Sequence, residues 1–185
     1  MATLAEQLKA MGACEETVLW AKDYKTLRSA WAKCERADWM LWLCNKMEGK
    51  KGWPVRQDIV LVACDCAELV VPIYENKYPD DKRVRKCIEV TRKWAKGEAR
   101  IEEVRQARMA AYAAYADATY YTAAYAASAA YAVADAAYYT AADAASSATS
   151  ACYAASYAAS AWFRIQKKCA DFCRQRLKIP ESLGE

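Results

Sequence analysis

Alanine dominates the chain between residues 107 and 161 and constrains the fold more than any other feature of the sequence. Of these 55 residues 28 are Ala, and the segment contains neither Gly nor Pro. Ala has the highest helix propensity, whereas Gly and Pro have the lowest. The segment is therefore predicted to be α-helical. Together with the amphipathic patterns on either side, it predicts an all-α, compact multi-helix domain whose long Ala/Tyr-rich helices pack closely together.

The Ala-rich segment contains an internal repeat. Residues 117–134 and 135–152 are identical at 11 of 18 positions. Eighteen residues make five helical turns, so in one straight helix equivalent residues would share a face, about 27 Å apart. One helix through the segment and its flanks would be about 100 Å long, which is too long for a compact domain. We therefore expect two or three helices with Asp residues as N-caps. The break is expected at residues 146–150, where Ser and Thr compete for backbone hydrogen bonds.

The rest of the chain predicts further helices in a single domain over residues 1–178. Residues 1–106 are expected to form mixed amphipathic helices, residues 162–178 a basic C-terminal helix, and residues 179–185 a flexible tail. A capping box at Thr3 and Glu6 predicts the first helix, which should end at Gly12. Asp38 is expected to be an N-cap, and Gly97 is expected to end a later helix. Further helices are predicted at residues 15–22, 24–34, 39–44, 57–71 and 82–96. Residues 57–71 are apolar enough for a buried strand, but Asp65 and Glu68 on one side and Pro72 as a stop favour the helix. A loop is expected at residues 74–79.

Composition and charge argue against several classes of function. The chain has no His, which is the commonest general base and a frequent zinc ligand, so we expect no enzyme, no metal and no cofactor. A net charge of +4 without a dense basic run predicts no specific nucleic-acid partner. The sequence contains no apolar run long enough to predict a membrane span, and residues 1–11 lack the apolar core of a signal peptide. The nine Cys, odd in number and scattered, are expected to be reduced in the bacterial host cytoplasm.

A tyrosine ladder within the repeat is the first candidate site. Its members are the repeated residues Asp117, Tyr120, Tyr121, Asp135, Tyr138 and Tyr139, and Arg83 and Arg85 are expected to supply cations from another helix. Phenol rings can stack a base, carboxylates can bind a sugar, and guanidinium groups can bind phosphate. The ladder would then form a pocket for a nucleotide signal. The alternative is that these Tyr rings fill the gaps between Ala-faced helices.

The second candidate site is a patch of Asp38, Trp39 and Trp42, because exposed Trp residues often anchor protein interfaces. The alternative is that Asp38 caps a helix and both Trp residues belong to the core. Other clusters are weaker. Cys64 and Cys66, or Cys169 and Cys173, lack the further ligands that a zinc site needs, and the Asp residues of the repeat lack a nucleophile or base.

Three stretches outside the repeat resemble a known family. They are Trp31–Leu43 (WAKCERADWMLWL), Ala63–Pro72 (ACDCAELVVP) and Pro79–Ala99 (PDDKRVRKCIEVTRKWAKGEA), followed by an Ala-rich region. In this order they resemble the Imm-five-like group of putative immunity proteins, found in bacteria and tailed phages. The resemblance covers most of residues 1–160. It implies a protein that neutralises a toxin or effector, and it transfers no catalytic residues.

The sequence leaves three hypotheses for the function. The resemblance favours a non-enzymatic protein, encoded by a phage or prophage, that binds and neutralises a bacterial toxin or an anti-phage defence effector. The tyrosine ladder favours a sponge that sequesters a cyclic nucleotide or an ADP-ribose-type immune signal. Ice binding is the most distant hypothesis, because Thr122 and Thr140 are 18 residues apart rather than at the spacing of ice-binding helices. Ala-rich faces associate readily, so a homodimer is also expected.

Overall fold

The structure is a computed structural model that describes residues 2–140, 142–155 and 159–183. Within these ranges the chain forms eleven α-helices and no β-strand, which confirms the all-α prediction. The helices are α1 (Leu4–Ala10), α2 (Glu15–Ala21), α3 (Leu27–Lys33), α4 (Ala37–Lys46), α5 (Arg56–Glu68), α6 (Val71–Glu75), α7 (Arg83–Ala95), α8 (Ile101–Asp117), α9 (Tyr121–Tyr138), α10 (Ala142–Ala154) and α11 (Ala159–Arg176). One hydrophobic cluster joins buried residues from Leu4 to Leu177.

Helix α9 lies at the centre of the fold. It packs against α5, α6, α7, α8 and α10, and α10 in turn packs against α4, α5 and α11. Most residues of α9 are buried, and nearly all of these are Ala. A methyl side chain keeps neighbouring helix axes close, so five helices can surround one. The close packing of Ala-rich helices is therefore confirmed.

The first helices follow the local signals in the sequence. Thr3 and Glu6 form the expected capping box at the start of α1, and Gly12 follows its end with a φ of 86°. Such a positive φ is strained for any residue with a Cβ, which explains the Gly. Helix α7 ends in the same way before Gly97. One stripe of α3 and its C-cap is buried, and it consists of Leu27, Ala30, Trp31 and Cys34.

The predicted break at residues 146–150 is wrong, because α10 runs through them. Thr149 donates its hydroxyl hydrogen to Ala145 O four residues earlier, and Ser147 donates to Ala63 O and Ala129 O on neighbouring helices. These hydroxyls bind carbonyl groups on neighbouring helices or one turn earlier in α10, so the α10 backbone stays helical. Among the described residues, α9 is bounded instead at 118–120 and at 139–140, beside the two Tyr-Tyr-Thr sequences.

The Asp residues are not the N-caps that the sequence suggested. Asp117 is the last residue of α8, Tyr120 is the N-cap of α9, and Asp135 lies inside α9. Asp38 lies in the first turn of α4, whose N-cap is Arg36. Asp38 instead forms an ion pair with Arg36, so its negative charge near the helix N-terminus still suits the helix dipole.

Residues 57–71 form a helix and not a strand, as predicted, although α5 ends at Glu68. The predicted loop at residues 74–79 is partly wrong, because α6 extends from Val71 to Glu75 with Pro72 in its first turn. Pro is tolerated there because the N–H groups of the first helical turn have no acceptor within the helix, so Pro, which has no N–H, removes no helical hydrogen bond. In the tail, Ile179 and Leu183 pack against the core, while Gly184 and Glu185 lie outside the described residues. The mobility of the tail stays a prediction.

Candidate functional site

The tyrosine ladder is divided between the two ends of α9. Asp117, Tyr120 and Tyr121 lie where α8 meets α9, and the three equivalent residues lie in the last turn of α9 or just beyond it. The 18-residue spacing places the two groups about 27 Å apart along the helix. Each group therefore has its own surroundings, and the binding role of the ladder stays a prediction.

At the first end of α9, the predicted cation is already paired. Arg83 binds the carboxylates of Asp81 (2.6 Å) and Asp117 (2.9 Å). Its hydrogen bonds with Asp81 raise the pKa of Arg83 above its ordinary value. The exposed Tyr120 ring packs edge-on against Tyr78, and Lys77 Nζ lies 4.6 Å from its centroid. These contacts tie α6 and α7 to the loop between α8 and α9.

The second end of α9 is built in a similar way. Arg108 of α8 forms an ion pair with Asp135, and its guanidinium lies 5.3 Å from the centroid of the Tyr139 ring. Arg85, the other predicted cation, pairs with Glu75 at 2.6 Å and not with the ladder. The structure thus brings Arg83 to Asp117, and it places Arg85 beside α6.

A different set of six Tyr side chains forms two clusters of three rings on α8, α9 and α10, which we together call the tyrosine face. Tyr131 of α9 packs against Tyr112 and Tyr115 of α8, with ring centroids 5.6 and 5.8 Å away. Tyr125, six residues earlier, packs against Tyr121 (4.6 Å) and against Tyr153 of α10 (5.2 Å). Six residues are about 9 Å along a helix and about 120° around it, so one cluster lies between α9 and α8 and the other between α9 and α10.

The outer rings of the tyrosine face are open to solvent. Tyr112 is 53 % exposed and Tyr121 66 % exposed, whereas Tyr125 and Tyr131 are half-buried beneath them. Ser128 and Ser150 lie between α9 and α10, with their hydroxyl oxygens 3.2 Å apart. No Lys or Arg occurs between residues 108 and 164. Arg108 of α8 lies at the edge of the face, close enough to interact electrostatically with Tyr131, and it is paired with Asp135.

Only Tyr121 of this face was among the predicted site residues. The ladder residues were chosen because they repeat, but exposure depends on which side of each helix meets a neighbour. A signal was present nonetheless, since Tyr112 and Tyr115 are three residues apart on α8, and Tyr121 and Tyr125 are four apart on α9. Such pairs lie on one side of a helix.

The predicted patch of Asp38, Trp39 and Trp42 lies around one cavity of about 360 Å³. Both Trp residues are partly buried against the core, and the role of the patch in binding stays a prediction. The remaining lining consists of Gly12, Ala13, Cys14, Thr17, Arg36 and Ala145. The structure thus brings the whole predicted patch together.

Arg36 organises this cavity. Its Nε and Nη2 donate to the two carboxylate oxygens of Asp38, at 2.9 and 2.7 Å. Its guanidinium carbon lies 4.5 Å from the Trp39 ring centroid and 5.1 Å from that of Trp162. Gln166 accepts the backbone N–H of Ala37 nearby and is itself buried. The first turn of α4 is therefore held in a fixed position beside the cavity.

A second cavity, of about 520 Å³, lies between α5 and α11. Asp65 at its edge accepts hydrogen bonds from Arg92 and Arg176, and Glu68 pairs with Arg92 at 2.6 Å. These ion pairs join α5, α7 and α11. Because each carboxylate already has a cation, this cleft has the character of a structural ion-pair network.

The Cys residues behave as core residues. Eight of the nine are buried and only Cys14 is exposed. Burial raises the pKa of the Cys44 thiol to about 12. In the part of the chain that the structure describes, no three His, Cys, Asp or Glu side chains are grouped as metal ligands. The same part contains no helix with the length and apolar character needed to span a bilayer.

Comparison with known proteins identifies the family. The family model of the Imm-5 like putative immunity protein matches residues 55–180. No curated protein and no solved structure matches the chain. The matched region includes α5 to α11, and with them the tyrosine face. Because the match covers more than half of the chain, this protein belongs to the Imm-5 like putative immunity protein family.

Proposed function

We propose that this protein neutralises a bacterial toxin or an anti-phage defence effector by binding it as a protein partner, without catalysing a reaction. The observation that carries the proposal is the tyrosine face on α8, α9 and α10. The neutralisation would take place in the bacterial host cytoplasm. If the gene belongs to a phage or prophage, the same binding would protect the phage from host defence.

The composition of the tyrosine face supports a protein partner. Tyr offers a large, rigid surface that is apolar on its ring and polar at its hydroxyl, and Tyr and Ser are the residues that antibody combining sites use most. The centres of protein interfaces are depleted in charged residues and enriched in aromatic ones. The two clusters of three Tyr rings have exposed outer members, and Arg108 beside them is already paired with Asp135, so both conditions are met.

The surroundings of the tyrosine ladder favour a protein partner over a nucleotide. A nucleotide needs a cation for its phosphate, but Arg83 is held by two carboxylates and Arg85 by Glu75. At the other end of α9, Arg108 is paired with Asp135. A phosphate that bound any of these three Arg side chains would have to displace a carboxylate. The tyrosine face has no such cost when it meets an uncharged protein surface.

Two double variants test the proposal and separate it from the nucleotide sponge. The first, Tyr112→Ser with Tyr115→Ser, removes two rings of the tyrosine face. The second, Tyr120→Ser with Tyr139→Ser, removes two exposed ladder rings outside that face. Ser and Tyr have similar helix propensities, and all four rings are exposed, so both variants should stay folded. The parent is first co-expressed with a library of toxin and effector genes in a bacterial host, and survivors identify the partner.

The purified partner is then titrated with each variant by calorimetry. Loss of interface Tyr residues that act as hot spots should weaken binding at least about tenfold in the Tyr112/Tyr115 variant, while the Tyr120/Tyr139 variant binds like the parent. In parallel, the parent is heated with cyclic dinucleotides, cyclic trinucleotides and ADP-ribose derivatives. A ligand at 100 times its dissociation constant would stabilise the protein by about 2.7 kcal/mol. A selective shift that only the Tyr120/Tyr139 variant loses would establish the sponge and refute our proposal.

A further inference from the structure

We propose that the cavity between α2 and α4 binds a basic side chain, an Arg or Lys that the partner protein inserts there. This inference rests on the proposed function, because it takes the partner to be a protein. The cavity, of about 360 Å³, is lined by Arg36, Asp38, Trp39 and Trp42 on the α4 side and by Thr17 on the α2 side. Its size is at the lower end of the range for ligand sites and suits one long side chain.

One of the two carboxylates beside the cavity is only weakly paired. Asp38 and Glu16 share one cation, Arg36. The Asp38 pair is bidentate and short, but Glu16 contacts Nη1 only at 3.4 Å and its side chain is 69 % exposed. The Glu16 carboxylate therefore has lone pairs available for a second cation.

The indole rings add a second attraction for a cation. A cation above an aromatic ring is attracted by the electron density of its face, most strongly for Trp. The structure already contains such contacts, since the Arg36 guanidinium lies over Trp39 and Lys46 Nζ lies 5.9 Å from the Trp42 centroid. The Lys46 contact is near the limit of about 6 Å for this interaction. Trp42 therefore makes only a weak cation–π contact within its own chain.

An anionic ligand suits the cavity less well, although Arg36 lines it. The Nε, Nη1 and Nη2 groups of Arg36 all donate to carboxylates of Asp38 or Glu16. The hydrogen bonds with Asp38 raise the pKa of Arg36, so this cation is stabilised where it lies. An incoming carboxylate or phosphate would have to displace Asp38 or Glu16. A guanidinium or ammonium group can instead use Glu16 and the indoles together.

The test uses the full chain and a small cationic probe, Nα-acetyl-arginine amide, with Nα-acetyl-glutamine amide as the uncharged control. Chemical shifts of the seven Trp indole N–H groups are followed by NMR at low salt, because salt screens exposed charges. The indole signals of Trp39 and Trp42, assigned from single Trp→Phe variants, should move and saturate with the arginine derivative. The signal of Trp94 on α7 should stay unchanged.

A pair of charge variants tests the role of Glu16. Glu16→Gln should weaken binding of the arginine derivative about two- to fivefold, which is the usual effect of one exposed ion pair. Glu15→Gln is the matched control, because Glu15 is exposed on the same helix and makes no hydrogen bond or ion pair among the described residues. It removes the same charge and should leave the affinity unchanged.

Three results would overturn the inference. They are a failure of the Trp39 and Trp42 signals to saturate, equal shifts with the glutamine derivative, and equal weakening by the two Glu variants. None of these measurements requires the toxin. Probe binding without any neutralised partner would count against the proposed function alone, whereas neutralisation without probe binding would count against this cavity alone.

Discussion

Replacing Asp81 by Asn should destabilise the fold measurably, because its carboxylate joins three parts of the structure. Asp81 accepts the hydroxyl hydrogen of the buried Tyr74 at 2.6 Å. It also accepts the backbone N–H of Arg83 at the start of α7 (2.9 Å) and the Arg83 guanidinium (2.6 Å). Through Arg83 the connection reaches Asp117 at the end of α8. Asn keeps the shape of the side chain but removes its charge.

The size of the effect follows from the pKa of Asp81. The hydrogen bonds from Arg83 lower this pKa from 3.8 to about 2. A tenfold change in an acid dissociation constant corresponds to about 1.4 kcal/mol, so the charged carboxylate stabilises the folded state by about 2 to 3 kcal/mol at neutral pH. The side chain is only 18 % exposed, so solvent screens these contacts little. We expect Asp81→Asn to lower the free energy of unfolding by about 2 kcal/mol at pH 7.

The pH dependence gives a second and independent check. Because the folded-state pKa lies below the unfolded value, the unfolded chain takes up the proton first as the pH falls. The stabilisation is therefore complete above about pH 5 and is lost between about pH 4 and pH 2. Urea unfolding of parent and variant from pH 7 to pH 3 should show a difference that is constant at first and then shrinks.

Asp80→Asn is the control, since Asp80 is exposed and makes no hydrogen bond or ion pair among the described residues. It should change the free energy of unfolding by less than about 0.5 kcal/mol. The reasoning would be refuted if Asp81→Asn had an equally small effect at pH 7. It would also be refuted if the difference between parent and variant grew as the pH fell.

Two further predictions concern the core. A thiol reagent such as Ellman's reagent should modify one thiol per native chain, Cys14, and all nine after denaturation, because the other eight are buried and inaccessible to it. Rapid reaction of several native thiols would contradict this. Ala130→Leu, at a fully buried position of α9, should cost about 1 to 3 kcal/mol in urea unfolding, because the enlarged side chain must push apart helices that Ala allows to lie close. Ala113→Leu, on the exposed side of α8, should be nearly neutral, and an equal loss there would show that close packing around α9 is not the cause.

Much of the fold could be predicted because its signals are local. The capping box of Thr3, the ends of α1 and α7 before Gly residues, and the buried stripe of α3 depend on side chains within a few positions of each other. The choice of helix for α5 also followed from local spacing. Helix propensity alone was sufficient to assign the Ala-rich segment, because no competing signal occurs within it.

The ends of the Ala-rich helices were harder to predict. The Ser- and Thr-rich run at residues 146–150 suggested a break, but the bonds of Ser147 to two other helices can be recognised only once those helices are in place. The actual ends of α9 lie at its Tyr-Tyr-Thr sequences, where helix propensity falls locally below that of Ala. A comparison of propensity along the segment would have favoured these positions.

The two copies of the repeat have different surroundings for a geometric reason. Equivalent residues share a face only while the helix continues, and a chain turn lies between Asp117 and the start of α9. Asp117 therefore ends one helix and faces Arg83, whereas Asp135 lies within the next and faces Arg108. The structure places Asp38, Trp39 and Trp42 around one cavity, because they are close enough in sequence to lie on one side of one helix.

Ala and Tyr have different roles in the Ala-rich helices, and this difference connects the fold to the proposed function. Ala residues of α8, α9 and α10 form the buried contacts, whereas the outer rings of the tyrosine face point away from them. Packing therefore depends mainly on Ala, and binding would depend on Tyr. Replacing Tyr112 and Tyr115 should then weaken a complex without unfolding the protein, so that a loss of neutralisation can be attributed to the lost contacts. An Ala-to-Leu change in α9 should do the opposite, since it alters stability and leaves the exposed rings in place.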